Sequence, residues 1–129
     1  MIIDASSVMA MLRLEPDWPI FATAISAADL RLMSAGTWIE LGAVTARRGE
    51  SDLKRRLDAL MHELAIEIAP VTLTQAQIGH DGYWLYGHGR HRANLNFGDC
   101  FAYALAKETG LPLLFKGNDF IHTDVIRAL

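Results

Sequence analysis

The chain has 129 residues, of which 51% are hydrophobic and 21% charged, a size and composition that suit one globular domain. A net charge of −3 excludes a generally basic surface, although a local basic patch is compatible with it. No apolar run approaches the roughly 20 residues of a membrane span, and Met1–Ile3 is followed at once by Asp4, so we expect a cytoplasmic protein without anchor or signal peptide.

Short apolar runs alternate with helical patterns along the chain. Strands are predicted at residues 1–4, 30–33, 66–71 and 111–115, with a shorter fifth at 125–129. Helices are predicted up to residue 14 and over residues 17–28, 37–48, 51–64, 72–86 and 99–109. Their ends are marked by Ser6 or Ser7, Pro16, Thr37, Gly49, Glu50 or Ser51, Thr72 or Thr74, Gly87, Gly89 and Gly110. This alternation predicts a parallel sheet covered by helices on both faces.

Four acidic residues border segments whose composition is that of a core. Asp4 ends the first predicted strand, and Asp119 lies in the turn after the fourth; Glu40 interrupts one helix, and Asp99 opens another. Buried carboxylates are costly unless they are paired or bind metal, and Lys116 is the only basic residue close to any of them in sequence. Ligands of parallel sheets bind beyond the carboxyl ends of the strands, where we expect Asp4, Asp119 and Asp99.

Each carboxylate also has an ordinary structural explanation. Asp4 suits a turn or a helix cap, Asp99 suits the first turn of a helix, and Asp119 suits the turn Gly-Asn-Asp. Glu40 is harder to explain, because it shares a helical face with residues 43–44, which should be packed. A joint site accounts for all four positions at once.

The charge of such a site favours a metal ion. Two carboxylates at about 5 Å repel by about 3 kcal/mol at an effective dielectric constant of about 20, so four of them would raise their own pKa values or bind cations. Oxygen ligands suit Mg²⁺ or Mn²⁺ rather than zinc. Carboxylate-held divalent ions with open positions catalyse displacement at phosphate, which makes phosphodiester hydrolysis the expected reaction.

A family resemblance rests on an ordered set of motifs that spans almost the whole chain. They are Met-Ile-Ile-Asp-Ala-Ser-Ser at 1–7, Glu40, Asn-Phe-Gly-Asp-Cys-Phe-Ala-Tyr-Ala-Leu-Ala at 96–106, Leu-Phe-Lys-Gly-Asn-Asp-Phe at 114–120 and Thr123–Asp124. This set resembles PIN-domain ribonucleases, and most closely the VapC-type toxins of toxin–antitoxin pairs. The resemblance implies a three-layer α/β/α sandwich and a Mg²⁺- or Mn²⁺-dependent RNA endonuclease. It also implies an antitoxin partner and a homodimer, with Asp4, Glu40, Asp99 and Asp119 as the acidic site.

Other residues near these motifs have two interpretations each. Ser6 either supports an acidic neighbour or a metal-bound water, or caps a helix; Asn118 and Thr123 either support the site or form turns. Arg90 and Arg92 belong to the densest local source of positive charge, which either contacts RNA phosphates or is a solvated loop. The five histidines show no spacing typical of a zinc site.

Paired amphipathic helices between residues 16 and 61 carry more apolar side chains than a small sheet face needs. We therefore expect an exposed groove that binds an amphipathic antitoxin helix, lined by Trp18, Phe21, Ile25, Leu53, Leu57 and Leu60. An Arg of that helix would pair with the carboxylates in place of metal.

Two other enzyme classes and one non-enzyme are alternatives to this interpretation. A phosphoaspartate receiver needs an acceptor Asp after a central strand, where this chain has Pro70–Thr72. A haloacid-dehalogenase-like phosphatase needs a second Asp at position 6, which is Ser. A catalytically silent module that keeps the fold for binding is the remaining alternative, and an activity assay separates it from a nuclease.

Overall fold

A four-stranded parallel sheet organises the computed structural model, which describes residues 1–47 and 52–129. The strands are β1 (Ile2–Ile3), β2 (Leu32–Ser34), β3 (Glu67–Ala69) and β4 (Leu113–Leu114), in the order β3-β2-β1-β4. The helices in the described part of the chain are α1 (Ala5–Leu12), α2 (Trp18–Ser26), α3 (Ala35–Arg47), α4 (Leu53–Glu63), α5 (Leu73–Tyr86) and α6 (Asp99–Thr109). The predicted α/β class and parallel sheet are confirmed.

Strands β1 and β4 each bury side chains on both faces of the sheet, because successive side chains of a strand point to opposite sides. Ile3 and Leu114 pack into one apolar cluster with residues of α1, α2, α3 and α4. Ile2 and Leu113 pack into a second cluster, to which α6 supplies most of the helical residues. The sheet therefore lies between two helical layers, which is the predicted three-layer α/β/α sandwich.

The ends of α5 and α6 follow their sequence signals. The Thr72 hydroxyl accepts a hydrogen bond of 3.0 Å from the Gln75 backbone N–H and so caps α5, which Gly87 ends. Gly110 ends α6 with a φ of +68°, a left-handed conformation that glycine adopts without strain.

Two predicted caps in the first half of the chain are wrong. Asp4, not Ser6 or Ser7, caps α1, because its carboxylate accepts the Ser6 backbone N–H; α1 ends at Leu12 rather than at residue 14. Thr37 lies inside α3, which begins directly at the end of β2. The predicted helix boundaries at residues 48–51 lie outside the described residues.

The outer strands are shorter than predicted. Residues 125–129 contribute one parallel bridge, from Arg127 to Leu113, instead of a fifth strand. At the other edge, Ile68 of β3 and Val71, which follows the strand, are exposed. No helix among residues 1–47 and 52–129 combines the length and apolar character needed to cross a membrane.

Candidate active site

The fold brings the four predicted carboxyl groups close enough to interact electrostatically. Asp4 follows β1, Asp119 follows β4, Glu40 lies on α3 and Asp99 is the first residue of α6. The charges of Asp4, Asp119 and Glu40 each raise the pKa of Asp99. Asp4 and Asp99 are buried, Glu40 is half-buried and Asp119 is exposed, so the cluster opens to solvent on the Asp119 side.

Asp4 is held by the residue two positions later. Its Oδ2 atom accepts hydrogen bonds from Ser6 N at 2.9 Å and from Ser6 Oγ at 2.5 Å. Burial raises the pKa of Asp4, the Ser6 hydrogen bonds oppose that rise, and the charge of Asp119 adds to it. Of the two functions predicted for Ser6, the contact with an acidic neighbour is the one observed.

Asp99 is held by a reciprocal pair of hydrogen bonds at the start of α6. The Asn96 backbone N–H donates to Asp99 Oδ2 at 2.7 Å, and the Asp99 backbone N–H donates to Asn96 Oδ1 at 3.0 Å. This is the geometry of a capping box, with Asp in the place of the usual Glu. Burial raises the pKa of Asp99 to about 7, against the Asn96 hydrogen bond and with help from the neighbouring carboxylates. The role of Asn96 was not predicted, although the spacing N-x-x-D before an apolar run signals it.

The Glu40 carboxylate occupies space that is free because residue 98 is a glycine. A Cβ atom on Gly98 would overlap the Glu40 carboxylate, so the glycine leaves room for it beside Asp99. The φ of Gly98 is −63°, which any residue adopts, so space rather than backbone conformation requires glycine there. Burial raises the pKa of Glu40, and the charge of Asp4 raises it further. The helical face that Glu40 shares with residues 43–44 was predicted to be packed, but Ala43 is exposed.

Lys116 does not neutralise the acidic cluster. Its ammonium donates hydrogen bonds of 2.6 Å to both Glu15 and Asp17, on the segment that joins α1 to α2. Its backbone N–H donates to Ser6 Oγ at 2.9 Å, and so continues the hydrogen-bonded chain that ends at Asp4. Lys116, the basic residue predicted to accompany Asp119, is therefore ion-paired with other carboxylates.

Asn118 and Thr123 have turn contacts. The Asn118 carbonyl accepts from Ile121 N at 3.3 Å, and the Thr123 hydroxyl donates to the Phe120 carbonyl at 2.8 Å. Turn formation is thus observed for both residues, and support of the acidic site by either one stays a prediction.

The two arginines predicted to contact RNA lie in different surroundings. The Arg90 guanidinium lies over the Trp84 ring, 3.9 Å from its centroid. Arg92 is exposed. Desolvation is the main cause that lowers the pKa of His122, and the charge of Arg92 lowers it further. Because His122 follows Asp119 by three residues, Arg92 lies beside the turn that carries this carboxylate.

The groove predicted between residues 18 and 60 is not an exposed surface. Four of its residues are buried in the core, namely Phe21, Ile25, Leu53 and Leu57, and Leu60 packs against that core. The reason is that α2 and α4 both pack on α1, so their apolar faces point inward. Trp18 alone is exposed, with 38% of its surface accessible.

An apolar cavity of about 560 Å³ lies elsewhere, between α5 and α6. Its lining includes Val71, Ala76, Tyr83, Trp84, Phe97 and Phe101. Trp84 and Phe97 are 54% and 76% exposed, which is unusual for large aromatic side chains. This surface was not predicted, because the pattern of α5 does not separate into one apolar and one polar face.

The donor set fits a hard divalent cation in its chemistry. In the described part of the chain, neither a hydrogen bond nor an ion pair occupies the carboxylates of Glu40 and Asp119, and the hydrogen bonds to Asp4 and Asp99 come from uncharged donors. In the same residues, no group of three or more Asp, Glu, His or Cys side chains is arranged as a finished metal site. The carboxylates are thus electrostatic neighbours rather than a closed coordination sphere.

Comparison with known proteins adds family evidence to this geometry. The family model described as PIN domain matches residues 1–126. Ribonuclease VapC30 of Mycobacterium tuberculosis is 46% identical over 125 residues, 97% of this chain and 95% of that protein. Ribonuclease VapC28 of the same species is 45% identical over 130 residues, covering 100% and 98% of the two chains. Ribonuclease VapC of Mycolicibacterium smegmatis is 42% identical over 125 residues, 97% of each.

A solved structure shares the fold at low sequence identity. The crystal structure of Mycobacterium tuberculosis VapC20, titled a sarcin–ricin loop cleaving toxin, superposes with a TM-score of 0.74 at 14% identity. The match covers 97% of this chain and 95% of that one. At this identity the likeness concerns the fold alone.

Proposed function

The chain belongs to the PIN domain family, and we infer that it is a VapC-type endoribonuclease, the toxin of a toxin–antitoxin pair. One observation from the site carries this inference: four carboxyl groups, after β1 and β4 and on α3 and α6, interact electrostatically, and none has a basic partner in the described residues. A silent binding module would have no use for buried carboxylates that raise one another's pKa values.

The cofactor of this proposal is Mg²⁺ or Mn²⁺, held by Asp4 and Asp99 with Glu40 and Asp119 at the outer positions. When bound, the cation lowers the pKa of a water molecule and neutralises charge on the phosphate. Ser6 and Asn96 orient the two buried carboxylates by fixing one oxygen of each. The remaining oxygen is the one available to a cation.

Glu40 and Asp119 are suited to the proton transfer that hydrolysis requires. The raised pKa of Glu40 makes it a better proton acceptor for an attacking water than an ordinary carboxylate. Asp119 is exposed on the open side of the cluster, where a phosphate and its water must enter. Arg92, beside the same turn, is the proposed contact for a neighbouring RNA phosphate, and Arg90 is a second one farther away.

Cleavage of a single-stranded or looped RNA by the purified protein tests the assignment. We expect activity with Mg²⁺ or Mn²⁺, loss of activity with EDTA, and loss in Asp4→Asn and Asp99→Asn variants that keep the fold. Asp58→Asn, an exposed carboxylate paired with Lys54, is the matched control and should cleave like the wild type. Full cleavage by the Asp4→Asn, Asp99→Asn double variant would contradict the proposed site.

The proposed partners are an RNA substrate and a cognate antitoxin, which place the activity in the cytoplasm. We also propose a homodimer formed through the cavity between α5 and α6. Its exposed aromatic residues offer apolar surface for a self-complementary two-fold contact. Charges of both signs lie close to it, because Asp81 contacts His80 of the lining and Arg90 lies over Trp84.

Sedimentation equilibrium tests the dimer. Phe97→Glu should give a monomer, because it puts a charge on the most exposed aromatic residue of the cavity. Ile126→Glu is the control, since Ile126 is 62% exposed and does not line the cavity. A wild-type monomer, or a Phe97→Glu dimer of unchanged stability, would contradict this interface.

A further inference from the structure

A network of charged side chains lies next to the acidic cluster without belonging to it. Lys116 Nζ donates to Glu15 Oε2 and to Asp17 Oδ1, both at 2.6 Å, and Arg13 approaches Glu15 at 3.5 Å. Two carboxylates and two cations thus form a set of zero net charge. All the ion-paired groups of Lys116, Glu15 and Asp17 are partly shielded from solvent, with side-chain exposures of 28–40%.

The backbone of Lys116 is already close to the proposed metal site. Its N–H donates to Ser6 Oγ, which itself donates to Asp4, so two hydrogen bonds separate this backbone from a buried carboxylate. A lysine ammonium is a point charge on a flexible four-carbon stem. The backbone link to Asp4 makes the acidic cluster an alternative partner for this ammonium once its present contacts are removed.

We propose that Glu15 and Asp17 are positioning residues that keep the Lys116 ammonium out of the acidic cluster and so leave the cluster free for a divalent cation. The inference rests on the proposed function, because it concerns the affinity of that site for metal. The ammonium is bound by two carboxylates, each at 2.6 Å, whereas a single exposed ion pair contributes little to stability. The direction of the pKa shifts agrees: hydrogen bonds to Lys116 lower the pKa values of Glu15 and Asp17, and these contacts raise that of Lys116.

Four proteins test the proposal by direct Mn²⁺ binding, measured by isothermal titration calorimetry without RNA. They are the wild type, the Glu15→Gln, Asp17→Asn double variant, Lys116→Met, and the triple variant that combines all three changes. The amides keep the shape of the carboxylates and one acceptor oxygen each, but they remove the negative charge. We expect the dissociation constant of the double variant to rise about tenfold, which corresponds to about 1.4 kcal/mol. The triple variant should return to within about twofold of Lys116→Met, because the competing ammonium is gone.

A fifth protein controls for the loss of two negative charges in general. Asp52→Asn, Asp58→Asn removes two exposed carboxylates that pair with Arg55 and Lys54 at α4, and it should bind Mn²⁺ like the wild type. Equal affinity of the wild type and the Glu15→Gln, Asp17→Asn variant would overturn the proposed role, as would a triple variant as weak as the double. Failure of the wild type to bind Mn²⁺ would instead overturn the metal site and the inference together.

Discussion

Gly98 shows how tightly the acidic side chains are packed at the scale of single residues. It precedes Asp99 in an ordinary helical conformation, and the Glu40 carboxylate occupies the place of its missing side chain. A methyl group there would displace Glu40 from its neighbours without straining the backbone.

We therefore expect Gly98→Ala to reduce RNA cleavage by roughly 100-fold while the protein stays folded. Gly42→Ala on the same helix as Glu40 is the control, because nothing lies within 4 Å of its added methyl group. That change should leave cleavage intact and stabilise the fold by about 0.5–1 kcal/mol. Cleavage rates and thermal melts distinguish the two variants, and an active Gly98→Ala protein would show that Glu40 does not need its observed position.

The pH dependence of stability is a second residue-scale prediction. The pKa of Asp99 is raised from 3.8 to about 7, and those of Asp4 and Glu40 shift in the same direction. At these three groups the folded protein binds more protons than the unfolded chain between about pH 4 and pH 7, so their contribution to the free energy of unfolding falls as the pH rises. In EDTA, the wild type should melt at least roughly 4 °C higher at pH 5 than at pH 8.

Asp99→Asn should flatten this dependence and melt no lower than the wild type at pH 8, because the amide still accepts the Asn96 hydrogen bond. Asp58→Asn should keep the wild-type slope. A clear loss of stability in Asp99→Asn at pH 8 would indicate that the residue serves the helix end more than the acidic cluster.

The acidic residues could be predicted from sequence, but their supporting contacts could not. A carboxylate next to an apolar run can be recognised in the sequence, since the apolar neighbours in the chain indicate that the carboxylate is buried. The Ser6 contact with Lys116 spans 110 positions, and the space between Gly98 and Glu40 depends on how α3 packs against α6. Asn96 is the exception, because its bond to Asp99 is local and the capping-box spacing was readable.

At the scale of elements, the sequence predicted the amphipathic helices but not the direction in which their apolar faces point. The apolar residues of α2 and α4 lie at helical spacing, which predicts the helices correctly but does not say which surface they cover. In the structure both helices pack on α1, and the apolar positions become core. The predicted strand at residues 125–129 is also wrong. The segment forms a single bridge to β4, which is too little pairing for a strand.

This packing separates two variants that the sequence alone would treat alike. Leu57→Asp puts a charge into the core, where the side chain is 2% exposed, and should destabilise the protein by at least about 3 kcal/mol. Trp18→Ala changes an exposed side chain and should preserve both fold and RNA cleavage. Thermal melts give the first comparison.

Antitoxin affinity gives the second comparison. If Trp18 contacts the antitoxin, as predicted, Trp18→Ala weakens binding in a calorimetric titration of the pair. Ile126→Glu is again a suitable control for an exposed apolar residue elsewhere. Unchanged affinity of Trp18→Ala would remove the last residue of the predicted groove from the antitoxin interface.

At the scale of the whole molecule, metal binding should be visible as stability. A cation that binds the folded form and relieves repulsion among the carboxylates shifts the unfolding equilibrium by mass action. Mn²⁺ at 100 times its dissociation constant should stabilise the protein by about 2.7 kcal/mol, which is several degrees in melting temperature. The Asp4→Asn, Asp99→Asn variant should show no such shift, and a shift of equal size in that variant would place the cation elsewhere.

The pairing of β1 with β4 has a consequence for synthesis on the ribosome. Asp4 is synthesised before β4 and Asp119, because it precedes them in the chain, and the strand that flanks β1 on this side is β4. A nascent chain interrupted before residue 113 lacks this strand and Asp119 together. A chain of that length therefore lacks part of the proposed acidic site, which can form only after residues 113–119 have left the ribosome.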